Sequence, residues 1–354
     1  MRRGLRVEID LYKIRKNTAF LVKQLNKRGI TITGVTKGVS GDPAVAQSML
    51  NGGITQLADA RLSNIARLRL AGISCPITMI RTPLADQVSD VIKYCETTYN
   101  SDLEIIEKLG RVAVHQRQIH GVVLMLEMGD EREGLLPEFL PQTISAIKLL
   151  PGICFKGIAT NFGCLNGIAP TNEQMLEFKE LMTASEKVWG RPVNYHSSGG
   201  SSNLSWALLQ QPTGRTSSLR LGESILLGLD PISQSPIEGL DQTAISLFAE
   251  VVESTPTDLS AASPKQSTGK CARLVLAIGH QDTDVKGLGF PNGIRLIGAS
   301  SDHMVVHSQN QAHKPGSDIR FSVNYAALTR AMAAPDVMTH TFDSKIKKIV
   351  YELN

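Results

Sequence analysis

A TIM-type (β/α)8 barrel followed by a mostly β C-terminal domain is the fold that this sequence predicts. Three observations predict it. Apolar, strand-like runs alternate with helical segments about eight times over roughly 225 residues, the size of such a barrel. After about residue 235 strand candidates follow one another with little helix between them. The length of 354 residues exceeds one ordinary core and suits a large barrel with a smaller companion. An open doubly wound sheet is the competing arrangement, but no Gly-x-Gly-x-x-Gly turn follows the first strand.

The elements follow in order. Asp10 can cap a helix carrying Leu11, Ile14, Leu21, Val22 and Leu25 at helical spacing. The β-branched run from Ile30 to Val35 reads as a strand buried on both faces, and it ends at Lys37-Gly38. A helix follows Pro43 and stops at Gly52-Gly53. Further strands are expected at Gln56–Asp59, Pro76–Ile80, Thr97–Tyr99, Gly121–Glu127, Phe155–Asn161, Val193–Ser198 and Ser218–Arg220. The clearest helix is Thr171–Trp189, where Thr171 and Gln174 form a capping box and Met175, Phe178, Met182 and Val188 make an apolar stripe for barrel packing. Beyond it, strands are expected at Ala244–Val252, Arg273–Ile278, Ile294–Gly298, Met304–His307 and Ile319–Asn324, and the Ser/Thr/Pro-rich stretch Ser254–Lys270 reads as an exposed loop. The expected domains are residues 10–234 and 235–354, with Arg6–Ile9 joining the second.

Composition narrows the function. The net charge of +4 is small, and no basic run is interleaved with aromatics, so nucleic acid is not an expected partner. Met1-Arg2-Arg3 leads into Glu8, Asp10, Lys13 and Arg15 without an apolar stretch, so no signal peptide is expected. No apolar run has the length of a membrane span. Cys75, Cys95, Cys154, Cys164 and Cys271 are odd in number and lack metal-ligand spacing. Reduced thiols in the cytoplasm, and no bound metal, are the expectation.

Barrel chemistry sits at the C-terminal ends of the strands. Those ends carry Lys37, Asp59 with Arg61, Arg81, Asn100, Arg132, Asn161, Ser198-Gly199-Gly200-Ser201 and Arg220-Leu221-Gly222. A lysine at a barrel mouth can lose its proton and form a Schiff base with an aldehyde. The two Gly-containing turns on adjacent strands bring bare backbone amides and hydroxyls to an anion. A lysine, a phosphate cup and a set of arginines together point to pyridoxal 5'-phosphate.

Longer motifs carry a family resemblance. The Lys37 segment, Gly129-Asp130-Glu131-Arg132-Glu133-Gly134, the Ser-Gly-Gly-Ser loop, Leu219–Gly228, Ala277–Asp284 and Gly298–His303 together resemble the alanine racemase-like (fold type III) enzymes, nearest to their ornithine racemase branch. The resemblance runs through nearly the whole chain in order. It implies that Lys37 holds the cofactor and that Arg220 donates to its pyridine nitrogen, which keeps that nitrogen unprotonated. It also implies that Arg132 reaches the phenolic oxygen, and that Ser201, Gly222 and Gly200 hold the phosphate. Ser198, Asn161 and Glu223 complete the expected cofactor-binding set. An ion pair between Arg220 and Glu223 is the structural alternative for that arginine.

The chain departs from alanine racemase proper. Gly41 stands near the place of a phosphate-binding tyrosine, Met125 replaces a lysine, and Asn161 replaces a ring-stacking histidine. The tyrosine that serves as the opposite base aligns with His280. Racemisation needs proton transfer on both faces of the α-carbon. Lys37 is one base and His280 the first candidate for the other, because histidine titrates near working pH; Asp302 and His303 compete. A homodimer, in which each second domain completes the partner's barrel, is implied. The substrate is expected to be an amino acid. Asp282, Asp284 and Asp302 either pair with a basic side chain such as that of ornithine or simply form turns. The alternatives on this scaffold are a decarboxylase, a D-amino-acid aldolase, or a non-catalytic protein of pyridoxal phosphate homeostasis. The first would need a cysteine near Ser300–Asp302 and the second a late His/Cys metal pair, and neither is present; the third would need no second domain.

Overall fold

A computed structural model describes residues 4–163, 165, 167–209, 215–257, 271–309 and 313–346. Eight parallel strands close into a barrel. They are β2 (Thr31–Val35), β3 (Gln56–Asp59), β4 (Ile77–Met79), β5 (Thr97–Asn100), β6 (His120–Leu126), β7 (Ile153–Thr160), β8 (Tyr195–Gly200) and β9 (Ser218–Leu221). Helices α1 (Leu11–Asn26), α2 (Pro43–Asn51), α3 (Leu62–Leu70), α4 (Val88–Tyr94), α5 (Leu103–His115), α6 (Leu140–Ile147), α7 (Asn172–Trp189), α8 (Leu204–Leu208) and α9 (Glu223–Leu227) alternate with them. All seven residues of β6 are buried, as expected for a parallel strand covered on both faces. Helix α7 carries the expected capping box, and its Met175, Phe178 and Met182 are buried.

The chain separates into two compact units. One contains the barrel and spans residues 14–37 and 41–240; the other collects residues 4–13, 38–40 and 241–346. The second unit is built on a sheet of order β12-β15-β10-β11-β14-β13. Its strands are β10 (Ile245–Thr257), β11 (Cys271–Leu276), β12 (Leu288–Gly289), β13 (Ile294–Ala299), β14 (Met304–Ser308) and β15 (Asp318–Val323). The strand β1 (Arg6–Asp10) pairs antiparallel with β10 and parallel with β16 (Met338–Phe342). Arg6–Ile9 thus lies in the β unit, and the barrel begins at Thr31.

Three details differ from the sequence expectation. Residues 254–257 are strand, not loop, because Thr255, Pro256 and Thr257 pair with Arg273, Ala272 and Cys271; residues 258–270 lie outside the described part. Strand β8 runs on through Gly200, so the two glycines end a strand before a 3-10 turn over Ser201–Asn203. Helix α10 (Tyr325–Ala331) and strand β16 had no sequence signal. Strand β16 shows no apolar alternation, and its Met338, Thr339 and His340 are exposed.

No helix among the described residues is long and apolar enough to cross a membrane. Among the described residues Cys75, Cys95, Cys154 and Cys271 form no disulfide with one another; Cys164 lies outside the described residues.

Candidate active site

Strand β2 ends at Val35, and the chain delivers an exposed Lys37 just past its C-terminal end. Thr36, one residue earlier, is buried and its hydroxyl donates to Asp59 Oδ2 at 2.8 Å. Asp59 also accepts from the Arg61 amide and from Asn64 Nδ2. Burial raises its carboxyl above the usual range, although these bonds pull the other way. Asp59 therefore fastens β3 to its neighbours and is not an open member of the polar ring. Asn100 is buried as well and donates to Thr98 Oγ1 at 2.7 Å. Arg61 and Arg81 are exposed.

The centre of the ring is Arg220. Its position on β9 faces Thr33 of β2, and only 5 % of it is exposed. Nη1 donates to Ser197 Oγ at 2.6 Å, and Nη2 donates to Thr160 O at 2.9 Å and Asn161 Oδ1 at 2.5 Å. An Arg220–Glu223 ion pair is not formed: the guanidinium is satisfied by neutral oxygens on β7 and β8. The Nε–H has no partner among the described residues, so one donor remains for a ligand atom. Ser197 has no sequence signal as a site residue, because a serine inside a strand gives no sign of its partner 23 residues away. Asn161 does join the site, holding Arg220 with Oδ1 while Nδ2 lies 4.0 Å from Met125 Sδ.

Beside Arg220 is the expected anion cup. Ser201 Oγ accepts from the amides of Gly222 at 3.4 Å and Ser224 at 3.3 Å. A side chain at Gly222 would stand 3.0 Å from Val35 O, and one at Gly200 would stand 3.1 Å from Arg220 O. Both contacts are tight, so glycine lets the backbones approach without displacing their neighbours. The hydroxyls of Ser198 and Ser224 are buried without a hydrogen-bond partner, and a buried unmatched hydroxyl costs free energy unless a ligand uses it. Ser224 is thus an addition to the residues chosen from sequence. The residues present fit pyridoxal 5'-phosphate: an accessible amine on Lys37, an unspent N–H on Arg220, and hydroxyls with bare amides for the phosphate.

Glu223, next to the cup, is pushed up to about 7, above all by burial; Asp230 adds to the rise, while Gln234 and the Lys37 ammonium oppose it. Arg132 is exposed; its Nε donates to Glu133 Oε2 at 2.5 Å and lies 3.7 Å from Asp130 Oδ2.

The second unit carries the candidates for the opposite base on two touching turns. His280 N–H donates to Ser300 O at 2.9 Å, and Gln281 N–H to Ser301 O at 3.0 Å. A Cβ at Gly279 would overlap Ser301 O, so glycine is required for this approach. His280, Asp302 and His303 are all exposed at these turns. Asp282 accepts from the Gly279 amide, Asp284 from the Lys286 amide and Asp302 from Ser301 Oγ, so all three carboxylates serve turn geometry.

A cavity of about 510 Å³, lined in part by Gln56, Thr97, Gly121, Lys156 and Tyr195, opens at the opposite, N-terminal ends of the strands. Barrel enzymes do their chemistry at the other end, and the cavity shares no residue with the ring around Lys37.

Residues 9–231 match the family described as alanine racemase, N-terminal domain. The chain is 31 % identical over 347 residues to the lysine racemase of Thermotoga maritima, covering 94 % of this chain and 97 % of that protein. It is 28 % identical to the ornithine racemase of Acetoanaerobium sticklandii, covering 93 % and 97 %. Among solved structures, the alanine racemase of Streptomyces lavendulae superimposes with a TM-score of 0.75 at 16 % identity, over 97 % of this chain and 98 % of that one. The D-threonine aldolase of Filomicrobium marinum does so with a TM-score of 0.75 at 15 % identity, over 95 % and 93 %, which marks a shared fold. With a lysine just past its first barrel strand, a buried arginine on its last and a family match over residues 9–231, the chain belongs to the alanine racemase family.

Proposed function

We propose that the protein is a pyridoxal 5'-phosphate-dependent amino-acid racemase acting on a basic amino acid, ornithine or lysine. The observation that carries this reading is Arg220, a buried guanidinium bound only to neutral oxygens and with its Nε–H unspent. A carboxylate in its place would protonate the pyridine nitrogen; an arginine leaves it neutral, which limits charge withdrawal and favours proton return over side reactions. The two relatives named above, a lysine and an ornithine racemase, support the substrate class. A decarboxylase, an aldolase or a cofactor carrier on the same barrel has no such support.

Lys37 would hold the cofactor, Ser201 with the Gly222 and Ser224 amides its phosphate, and Arg132 its phenolic oxygen. When bound, the cofactor supplies the electron sink that acidifies the α-C–H of an attached amino acid. The Lys37 amine takes or gives a proton on one face of the α-carbon. His280 serves the other face, with Asp302 and His303 beside it. In this reading the enzyme is a cytoplasmic homodimer, each barrel completed by the partner's second unit, and a single protomer lacks the opposite base.

The test is a racemisation assay of the purified protein with L-ornithine, L-lysine, L-arginine, L-alanine and L-serine, read by chiral chromatography. Conversion of ornithine or lysine at least tenfold faster than alanine is expected. Conversion of none of the five, or release of carbon dioxide or glycine instead, overturns the reading. Borohydride reduction followed by mass analysis is expected to find a pyridoxyl adduct on Lys37.

A further inference from the structure

Arg220 poses a physical problem that its hydrogen bonds do not solve. A buried cation normally needs a buried anion, because desolvation of a lone charge costs several kcal/mol. None of the ion pairs among the described residues includes Arg220. Its oxygen partners are two carbonyls, a hydroxyl and an amide. One further contact remains: the guanidinium carbon lies 5.1 Å from the centroid of the Tyr99 ring. Tyr99 is itself fully buried inside the barrel, 1 % exposed, and packs with Val123, Met125 and Ala159. Its hydroxyl meets the Tyr195 hydroxyl at 2.7 Å, and the two rings cross edge to face with centroids 6.4 Å apart.

We propose that Tyr99, braced by Tyr195, is the positioning residue of this site: its ring face stabilises the Arg220 cation without neutralising it and sets the direction of the free Nε–H. A carboxylate in the same place would quench the positive charge that the pyridine nitrogen is meant to meet, and would add an acceptor for Nε–H. An aromatic face does neither, since it attracts the cation through its quadrupole. The phenol stays neutral in this role: burial, with Tyr195 adding, holds its proton well beyond the ordinary range, although Arg220 opposes this. Tyr195 contributes rigidity, because the hydroxyl pair ties β5 to β8 across the barrel interior. The inference rests on the function proposed above, in which Arg220 meets the cofactor.

The experiment has two arms. In the cofactor-free full-length chain, NMR of arginine-labelled protein reads the Arg220 Nε–H directly. The ring face of Tyr99 displaces that signal, Tyr99→Phe keeps the displacement, and Tyr99→Leu abolishes it. In the loaded enzyme, cofactor labelled with nitrogen-15 in its pyridine ring reports the ring nitrogen. Tyr99→Leu is expected to shift that signal and to lower kcat about 10²-fold, the scale of a misplaced catalytic group, with KM nearly unchanged. Tyr99→Phe should stay within about fivefold of wild type, losing just one hydroxyl bond. An unchanged Arg220 signal in Tyr99→Leu overturns the proposal. If Tyr99→Leu does not fold, Tyr99→Met, a flexible apolar filler, carries the same two readouts. A wild-type chain that takes up no cofactor would overturn the proposed function, and the first arm would still decide the role of Tyr99.

Discussion

Arg220 and His280 are held in opposite ways. Arg220 is buried on a barrel strand, with three side-chain and backbone bonds of 2.9 Å or less and an aromatic ring against its face. His280 stands exposed on a turn, fixed through its backbone N–H to Ser300 O, and its imidazole has no partner among the described residues. In the proposed reaction this difference would suit two kinds of work. A group that tunes a cofactor's charge must be rigid and dry, where its field is strong. A group that carries protons must reach water between turnovers. Lys37 would belong with the second kind: it is exposed just past its strand end.

Three substitutions sharpen or break this comparison. Lys37→Ala should have the largest effect, with visible absorbance from bound cofactor lost and turnover down by about 10⁴-fold, as for removal of a covalent catalyst. Persistence of that absorbance would dismiss Lys37 as the attachment point. His280→Ala should lower racemisation about 10²- to 10⁴-fold, the range of a general acid or base, while cofactor absorbance is retained. Turnover near wild type would transfer the role to Asp302 or His303. The smallest effect concerns stability. Glu223 is raised from its ordinary 4.5 to about 7, so the folded state holds its proton more tightly than the unfolded chain. The stability this contributes is fully present below pH 4.5 and is lost as pH rises through about 7. Urea melts at pH 5 and pH 8 should show that Glu223→Gln removes on the order of 2 kcal/mol of the wild-type decline over that interval. An equal decline in both proteins would show that Glu223 is not buried with its proton.

Much of the fold was legible because barrel strands advertise themselves. The run Ile30–Val35 is rich in β-branched residues and is followed closely by Lys37, and the capping box of α7 appears as Thr171 and Gln174 at the right spacing. The N-terminal strand could be assigned to the β unit because the barrel's alternation starts at Thr31. Strand β16 was invisible: its residues Met338–Phe342 alternate no clear apolar face and gain their order by pairing with β1. In the site, the lysine, Arg220 and the Ser/Gly turns could be chosen from residue type and position at strand ends. The same rule does not separate Asp59 from a ligand-facing group, since a strand-end carboxylate looks alike in sequence whether it faces a ligand or accepts from Thr36 and Asn64.

Residue order alone was enough for the barrel and the β unit, because both depend on local periodicity and on residues adjacent in the chain, and it offered Lys37 as the candidate lysine past the first barrel strand. The tertiary structure decided what surrounds Arg220. Its hydrogen-bond partners lie 23, 59 and 60 residues away, and Tyr99 and Tyr195 come from β5 and β8, strands that β6 and β7 separate in the barrel order. Closure of the barrel brings these side chains together, and no local pattern records which inward-facing residues will meet at its centre.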